Sequence, residues 1–93
     1  MRILQTRVFI NVIKRLHANQ KDAMDDAVKC ISSNPKMGEA KIGDLAGVRV
    51  YKFNMVGQMM LLAYEWREHE ETIILLSAGS HENFYRDIKR VLN

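Results

Sequence analysis

Apolar residues follow a helical period twice in the first third of the chain. The spacing i, i+3, i+4 and i+7 is the stripe of an amphipathic helix that packs on a core. It occurs first at Phe9, Val12, Ile13 and Leu16. Thr6 precedes this stripe, and its hydroxyl can accept from an unpaired N–H of the first turn, so we expect a helix capped there.

The same spacing returns at Met24, Ala27, Val28 and Ile31. It predicts a second helix over about residues 21–33. The run Ala18–Gln20 is expected to break the two helices apart. Pro35 ends the second helix, because proline disfavours helical geometry in the residue before it. Two helices joined by a short turn predict an antiparallel helical hairpin.

Beyond the helical hairpin the pattern changes to one typical of strands. Three β-prone apolar runs cover residues 48–55, 58–66 and 72–78. Val56 and Gly57 form a tight turn between the first two runs, which we therefore expect to pair antiparallel. Residues 59–64 of the middle run are apolar at nearly every position, so this strand is expected to be buried on both faces. Arg2–Gln5 predicts a weaker first strand.

A last helix is expected after Gly79. Ser80 can cap this helix. Its apolar stripe consists of Phe84, Ile88, Val91 and Leu92. The predicted fold is α+β: an N-terminal strand and a helical hairpin packed on a small antiparallel sheet, with a short C-terminal helix on the other side.

Composition narrows the class of protein. The chain has 93 residues, which we interpret as one domain, residues 1–93. There is no run of about 18 apolar residues that would predict a membrane span, and no signal-peptide pattern at the N-terminus. A single cysteine allows no internal disulfide. We therefore expect a cytoplasmic protein without membrane contact, whose small core leaves room for a shallow site.

Charge is segregated along the sequence. The first 21 residues carry five basic residues and no acidic one: Arg2, Arg7, Lys14, Arg15 and Lys21. Residues 22–39 carry more acidic than basic side chains. This separation favours one side that faces a polyanion and another that does not. A solvated helix face with scattered cations gives the same pattern.

His81 is the residue best suited to acid–base chemistry. It lies at the predicted junction of sheet and last helix, where a helix N-terminus attracts phosphate. Tyr85 follows one turn later on the same helix face, so both rings can border one nucleotide. The alternatives are an exposed first-turn histidine and a tyrosine packed beside Phe84. No metal and no cofactor are expected, because no pair of histidines has ligand spacing. Cys30 is expected to be a buried, inert thiol.

Three segments of the sequence carry a resemblance to a known family. They are Leu45–Phe53, the strand end Leu62–Tyr64, and Ser77–Tyr85. The chain resembles the RelE/ParE superfamily of type II toxin–antitoxin toxins over nearly its whole length. The motif Gly-Ser-His, with an aromatic residue four positions later, is similar to the YafQ branch. The resemblance implies a toxin that cleaves mRNA on the ribosome and is held inactive by a cognate antitoxin protein. The ParE branch shares the fold and inhibits DNA gyrase instead.

The resemblance also implies a set of site residues. His81 and Tyr85 match the active-site pair of YafQ-like toxins. In RNA-cleaving relatives the strand after the helices grips the scissile phosphate, which places Lys52 there with Arg49 nearby. A regular strand directs these two side chains to opposite faces, and we favour Lys52 for the groove. Either residue is otherwise an ordinary solubilising side chain. Two cations of the last helix are expected to hold flanking RNA phosphates: Arg86 and Lys89.

One position departs from the family pattern. Many RelE-like toxins carry an arginine on the middle strand, three residues before the tyrosine that corresponds to Tyr64, and this sequence has Leu61 there. The missing cation leaves two hypotheses beside a histidine-based nuclease. One is a gyrase inhibitor of the ParE kind, and the other is an inactive toxin homologue bound by an antitoxin.

Overall fold

The computed structural model of the chain describes residues 1–92 and, within them, every side chain except those at positions 81–83, 87, 89 and 90. The helices are α1 (Arg7–Lys14), α2 (Ala18–Ser33) and α3 (His81–Leu92). The strands are β1 (Arg2–Gln5), β2 (Glu39–Ala40), β3 (Arg49–Met55), β4 (Gln58–Arg67) and β5 (Thr72–Gly79). The predicted order of strand, two helices, three strands and helix is confirmed, and β2 is a short addition to it.

The five strands form one mixed sheet in the order β1-β5-β4-β3-β2. The pairs β2–β3, β3–β4 and β4–β5 are antiparallel, which confirms the predicted meander of β3, β4 and β5. β1 lies parallel to β5, with Arg2 opposite Thr72. The prediction of an antiparallel sheet therefore holds for β2, β3, β4 and β5. It does not hold for β1, which pairs with β5 in parallel.

The two faces of the sheet carry two separate cores. The hairpin side, which α1 and α2 cover, contains Leu62 and Tyr64 of β4. The α3 side contains Leu61 and Ala63 of β4, which pack with Phe84 of α3. All five side chains are buried. The expectation that the middle strand is covered on both faces, by the helical hairpin and by the last helix, is confirmed.

The helix boundaries follow from local hydrogen bonds. The N–H of Phe9 donates to Thr6 Oγ1 at 3.1 Å, and α1 is capped as predicted. α2 begins at Ala18, so the expected break at Ala18–Gln20 is wrong. The His17 N–H donates to Gln20 Oε1 at 2.8 Å. The Gln20 side chain therefore stabilises the first turn of α2 instead of belonging to a loop.

The turn between β3 and β4 agrees with the sequence, whereas the environment of Cys30 does not. Val56 and Gly57 have positive φ angles of 50° and 85°, as a type I′ hairpin turn requires. Cys30 is exposed, and the expectation of a buried thiol is wrong. Cys30 lies beside the buried stripe of α2, which includes Ile31, and its thiol meets the hydroxyl of Tyr51 at the margin of the core.

Candidate active site

Lys52 lies on the α3 side of the sheet. It shares one face of β3 with Val50, which belongs to the core beneath α3. Its side chain is exposed and makes no hydrogen bond or ion pair with the residues that the structure describes. The ammonium group is therefore available to an anionic ligand.

The register of the sheet brings Lys52 into line with the start of α3. Lys52 pairs with Leu61 of β4, and Leu61 pairs with Gly79 of β5. Neighbouring strands lie about 4.8 Å apart, so about 10 Å separates the backbone at Lys52 from that at Gly79. α3 begins two residues later, at His81. A cation and a helix N-terminus thus lie at the same level and on the same side of the sheet.

His81 is the first residue of α3. Its side chain lies outside the described residues, and so does that of Lys89. The backbone at this end is defined by the Phe84 N–H, which donates to the Ser80 carbonyl at 3.0 Å. Ser80 therefore occupies the N-cap position, as predicted.

Tyr85 is half-buried against the α3-side core. Its ring meets that of Phe84 edge-on, with centroids 5.0 Å apart and planes at 87°. The packing beside Phe84 that the sequence offered as an alternative is thus present. The part of the ring that stays accessible is what can contact a ligand. Arg86, the next residue, is exposed.

Arg49 belongs to the hairpin side of the sheet. It lies opposite Tyr64 in the register of β3 and β4. Its Nη1 donates to the carbonyl oxygens of Lys36 at 3.0 Å and Gly38 at 2.8 Å. The guanidinium therefore holds the loop between α2 and β2. The structure places Lys52, Tyr85 and the start of α3 on one side of the sheet, and it places Arg49 on the other.

Sequence reasoning missed the importance of Tyr64. This fully buried side chain donates from Oη to the Pro35 carbonyl at 2.7 Å and accepts from the Gly38 N–H at 2.9 Å. Burial raises the pKa of Tyr64 above its ordinary value of 10.0, because the phenolate is disfavoured away from water. The sequence feature that could have indicated this role is a single tyrosine in an apolar strand, because a buried hydroxyl needs a hydrogen-bond partner.

Leu61 makes the centre of the candidate site apolar. It is 2% exposed and packs in the α3-side core with Phe84 and Ile88. It lies between Lys52 and Gly79, where many RelE-like toxins have an arginine. Along the line of Lys52, Leu61 and Gly79, the positive charge therefore comes from Lys52.

The arrangement suits an anionic ligand. The ammonium group of Lys52, which has no partner among the described residues, lies on one side of the sheet with the half-buried ring of Tyr85 and the N-terminus of a 12-residue helix. Such groups bind phosphate and stack on bases. In the part of the chain that the structure describes, no three His, Cys, Asp or Glu side chains come together as a metal site would require. No described helix is both long and apolar enough to cross a membrane.

Comparisons with solved structures identify the same architecture in E. coli toxins. The chain is similar to an E. coli RelE mutant in the free state, with a TM-score of 0.71, 12% identity and coverage of 96% of this chain and 95% of that one. Isolated E. coli RelE gives a TM-score of 0.68 and 13% identity, with 97% of each chain covered. The intact E. coli RelBE toxin–antitoxin complex gives 0.69 and 11%, with 85% and 94% covered. At these identities the likeness shows a shared fold.

Sequence comparison assigns the family. No protein of curated function matches the chain. The sequence model of the ParE-like toxins of type II bacterial toxin–antitoxin systems matches residues 3–89. This span contains both cores of the sheet and most of α3, so the match covers the fold as a whole. The chain belongs to the ParE-like toxin family, within the RelE/ParE superfamily of type II toxin–antitoxin toxins.

Proposed function

We propose that this toxin is an endoribonuclease that cleaves mRNA on the ribosome by metal-free acid–base chemistry, with residues 1–93 acting as one domain. The observation that carries the proposal is the transverse row Lys52–Leu61–Gly79. It aligns Lys52, a cation without a partner among the described residues, with the helix start at His81. A phosphate held by Lys52 would therefore lie on the side of the sheet where α3 begins.

Each residue has a role in this cleavage. The 2′ oxygen of a nucleotide attacks the adjacent phosphorus while a base takes its proton, and the 5′ oxygen leaves with a proton from an acid. His81 is the general acid or base. Lys52 stabilises the charge that builds on the phosphate, and Tyr85 stacks on a base or orients the phosphate. Arg86 and Lys89 bind the flanking phosphates.

The shallowness of the site agrees with a substrate positioned by a larger machine. Lys52 is exposed, and its neighbour across the strands, Leu61, is a core side chain packed beneath α3. A ribosome supplies the orientation that the toxin surface lacks, and orientation is a large part of catalysis. We therefore place the activity in the cytoplasm, on translated mRNA.

A cognate antitoxin protein is the partner that keeps such a toxin inactive. The E. coli RelBE structure is a toxin–antitoxin complex with the same fold in its toxin chain. The membership of this chain in a type II toxin family supports the same kind of pairing.

A second candidate function is inhibition of DNA gyrase without bond cleavage, and Leu61 favours it. Its side chain is buried beneath α3 and provides no cation at the centre of the site. The same residue is compatible with an inactive homologue bound by an antitoxin. These candidates make different predictions in cells.

Controlled expression in cells separates the candidates. Primer extension on translated mRNA is compared with DNA supercoiling and the DNA damage response. We expect cuts at fixed codon positions that disappear in His81→Ala and fall about a hundredfold in Lys52→Ala. The matched control is Lys29→Ala, because Lys29 is an exposed α2 lysine without an ion pair among the described residues.

Each outcome decides between the candidates. Intact mRNA together with gyrase-dependent DNA damage contradicts the nuclease and supports the gyrase inhibitor. Normal growth with folded, full-length protein supports the inactive homologue. Equal loss of cleavage in Lys52→Ala and Lys29→Ala would remove Lys52 from the site.

A further inference from the structure

The cover that α3 gives to its side of the sheet ends at Leu61. Leu61 is 2% exposed, whereas Met59, two residues earlier on β4 and on the same face, is 55% exposed. β5 ends at Gly79, opposite Leu61, and so does not extend alongside Met59. An apolar side chain therefore lies on open sheet surface close to Lys52.

Asn54 lies directly beside Met59, since the two residues are paired in the register of β3 and β4. Met55 and Gln58 close the two-residue hairpin turn. Asn54 and Met59 therefore form the next, non-hydrogen-bonded pair, whose side chains approach closely. Lys52 is the diagonal neighbour of Met59, and diagonal neighbours lie about 7–8 Å apart. A nucleotide bound by its phosphate at Lys52 can therefore place a nucleobase on Met59.

The side-chain amide of Asn54 has a fixed orientation. The Gly57 N–H donates to Asn54 Oδ1 at 2.8 Å, so the oxygen faces the turn. Asn54 is exposed, and its Nδ2 group has two N–H donors without a partner among the described residues. What Asn54 offers to a ligand is therefore a pair of hydrogen-bond donors.

The strands around this pair carry no negative charge. Residues 45–64 include no Asp or Glu and two cations, Arg49 and Lys52. Arg49 is engaged with loop carbonyls on the hairpin side, which leaves Lys52 as the cation of the α3 side within this segment. A ligand that carries negative charge is therefore attracted to the surface at Met59 and Asn54.

We infer that Met59 and Asn54 bind an RNA nucleobase next to the phosphate at Lys52 and select guanine over adenine. The inference rests on the proposed contact of Lys52 with RNA. The nucleobase packs on the thioether of Met59, which makes favourable contacts with aromatic rings. Guanine presents two adjacent acceptors, N7 and O6, where adenine presents an acceptor and an amino donor. The two donors of Asn54 match guanine, and with adenine a donor would face a donor.

RNA satisfies this surface more fully than an apolar protein partner does. An apolar side chain placed on Met59 would leave the Asn54 donors and the Lys52 ammonium group without acceptors, and unpaired polar groups in an interface weaken binding. A single nucleotide supplies the aromatic ring, the acceptors and the phosphate together. A pyrimidine presents a smaller ring to Met59 than a purine does.

An NMR titration of the full chain with two short RNAs tests the inference. The probes are 2′-O-methyl trinucleotides in which uridines flank either guanosine or adenosine. They bind without being cleaved, because no 2′ hydroxyl is free to attack the phosphorus. We expect shifts of the Asn54 side-chain amide and of the Met59 methyl group, and an affinity at least about fivefold higher for the guanosine probe.

Asn54→Asp exchanges the donors for an acceptor. The aspartate keeps an oxygen for the Gly57 N–H and has no donor of its own. The preference should therefore reverse in favour of the adenosine probe, whose amino group donates. The added negative charge weakens both probes alike and cancels in the ratio of their affinities. Asn11→Asp makes the same change on the exposed surface of α1 and should leave this ratio unchanged.

Met59→Ala tests the apolar contact separately. It should weaken both probes about threefold and leave their ratio unchanged, because the thioether contacts either purine. The matched control is Met37→Ala. Met37 is 43% exposed and lies between α2 and β2, so this truncation should alter neither affinity.

The outcomes separate this inference from the nuclease proposal. Equal affinity for the two probes, or a guanosine preference that persists in Asn54→Asp, overturns the inference. Absence of shifts at Asn54 and Met59 with both probes also overturns it and leaves Met59 to a protein contact. Primer extension on translated mRNA gives the independent result. Cuts at fixed codon positions with equal binding of the probes would reject the nucleobase assignment alone, and selective binding without cuts would reject the nuclease alone.

Discussion

Arg49 and Tyr64 lie opposite each other on β3 and β4, and both side chains bind the loop that joins α2 to β2. Arg49 donates to the carbonyls of Lys36 and Gly38. Tyr64 donates to the Pro35 carbonyl and accepts from the Gly38 N–H. This pair fastens the helical hairpin to the sheet on the side away from the candidate active site.

Gly38→Ala should destabilise this junction. A Cβ at position 38 would lie 2.6 Å from Tyr64 Oη and 2.8 Å from its ring, so the loop or the ring must move and the two Tyr64 hydrogen bonds are strained. We expect the free energy of unfolding to fall by about 2 kcal/mol, measured by urea denaturation.

A double-mutant cycle with Tyr64→Phe checks the cause. Removal of the hydroxyl relieves the closest contact, so the cost of Gly38→Ala should be smaller in the Tyr64→Phe background than in the natural chain. Strict additivity of the two costs would show that the clash with Tyr64 is not responsible.

Arg49 and Lys52 should respond oppositely in stability and toxicity assays. Arg49→Met removes a charged donor from two carbonyls and should lower the free energy of unfolding by about 2 kcal/mol. Lys52→Met should leave unfolding unchanged, because Lys52 is exposed and has no partner among the described residues. Growth arrest should be lost in Lys52→Met and retained in Arg49→Met at temperatures where that variant is folded. The reverse pattern would move the phosphate contact to Arg49.

Stability should fall in alkaline solution. The folded-state pKa of Tyr64 is raised above 10.0 by burial, so the unfolded chain loses this proton first as the pH rises. The stabilising contribution of the neutral phenol is complete below pH 10 and is lost as the pH rises through the folded-state value. A hydrogen bond with Cys30 raises the pKa of Tyr51 in the same direction. Unfolding measured across this range in Tyr64→Phe should show a shallower decline, and an identical decline would contradict the assignment.

Leu61→Arg should not restore a nuclease of the usual RelE pattern. Leu61 is 2% exposed under α3, and a cation there would be desolvated and unpaired among the core side chains. We expect a loss of at least about 3 kcal/mol in stability, with Leu61→Met as the volume-matched control at less than about 1.5 kcal/mol. If Leu61→Arg is as stable as the natural chain and cleaves more RNA, α3 must move to admit the arginine side chain, and the expectation is wrong.

Val56 is a place where the chain can be stabilised. It adopts φ of 50° and is 58% exposed, and a β-branched residue is strained in this left-handed region. Val56→Asn should raise the free energy of unfolding by about 1 kcal/mol. Asn11→Asp, an exposed polar change on α1, is the control and should have a much smaller effect. Destabilisation by Val56→Asn would indicate that the valine side chain is itself required.

Most of the fold follows from local patterns. Helical stripes such as Phe9 to Leu16, the Thr6 cap and the Val56–Gly57 turn each depend on residues close in sequence. The start of α2 was missed because its first turn, Ala18–Gln20, carries no apolar stripe. The pairing of β1 with β5 was missed because it joins residues about 70 positions apart, and no local signal encodes a parallel partner.

The part of the candidate site that depends on strand alternation was also predictable from the sequence. Alternation along β3 separates Lys52 from Arg49, and the register then places Lys52 opposite Leu61. The sequence does not reveal that Arg49 binds two loop carbonyls, since that contact depends on where the loop passes in three dimensions. A basic residue in a predicted strand looks the same in the sequence whether it binds a phosphate or the carbonyl groups of a loop.

The pairing of β1 with β5 also sets the order of events during synthesis. The first strand made has its partner at residues 72–75, and Thr6 Oγ1 donates to the Leu76 carbonyl across 70 residues of chain. The sheet therefore closes only after β5 has been translated, and contacts of such long range form slowly. In a product truncated before β5, β1 has no strand with which to pair. During synthesis there is thus an interval in which β1 has been made but is unpaired, and the folded toxin has not yet formed.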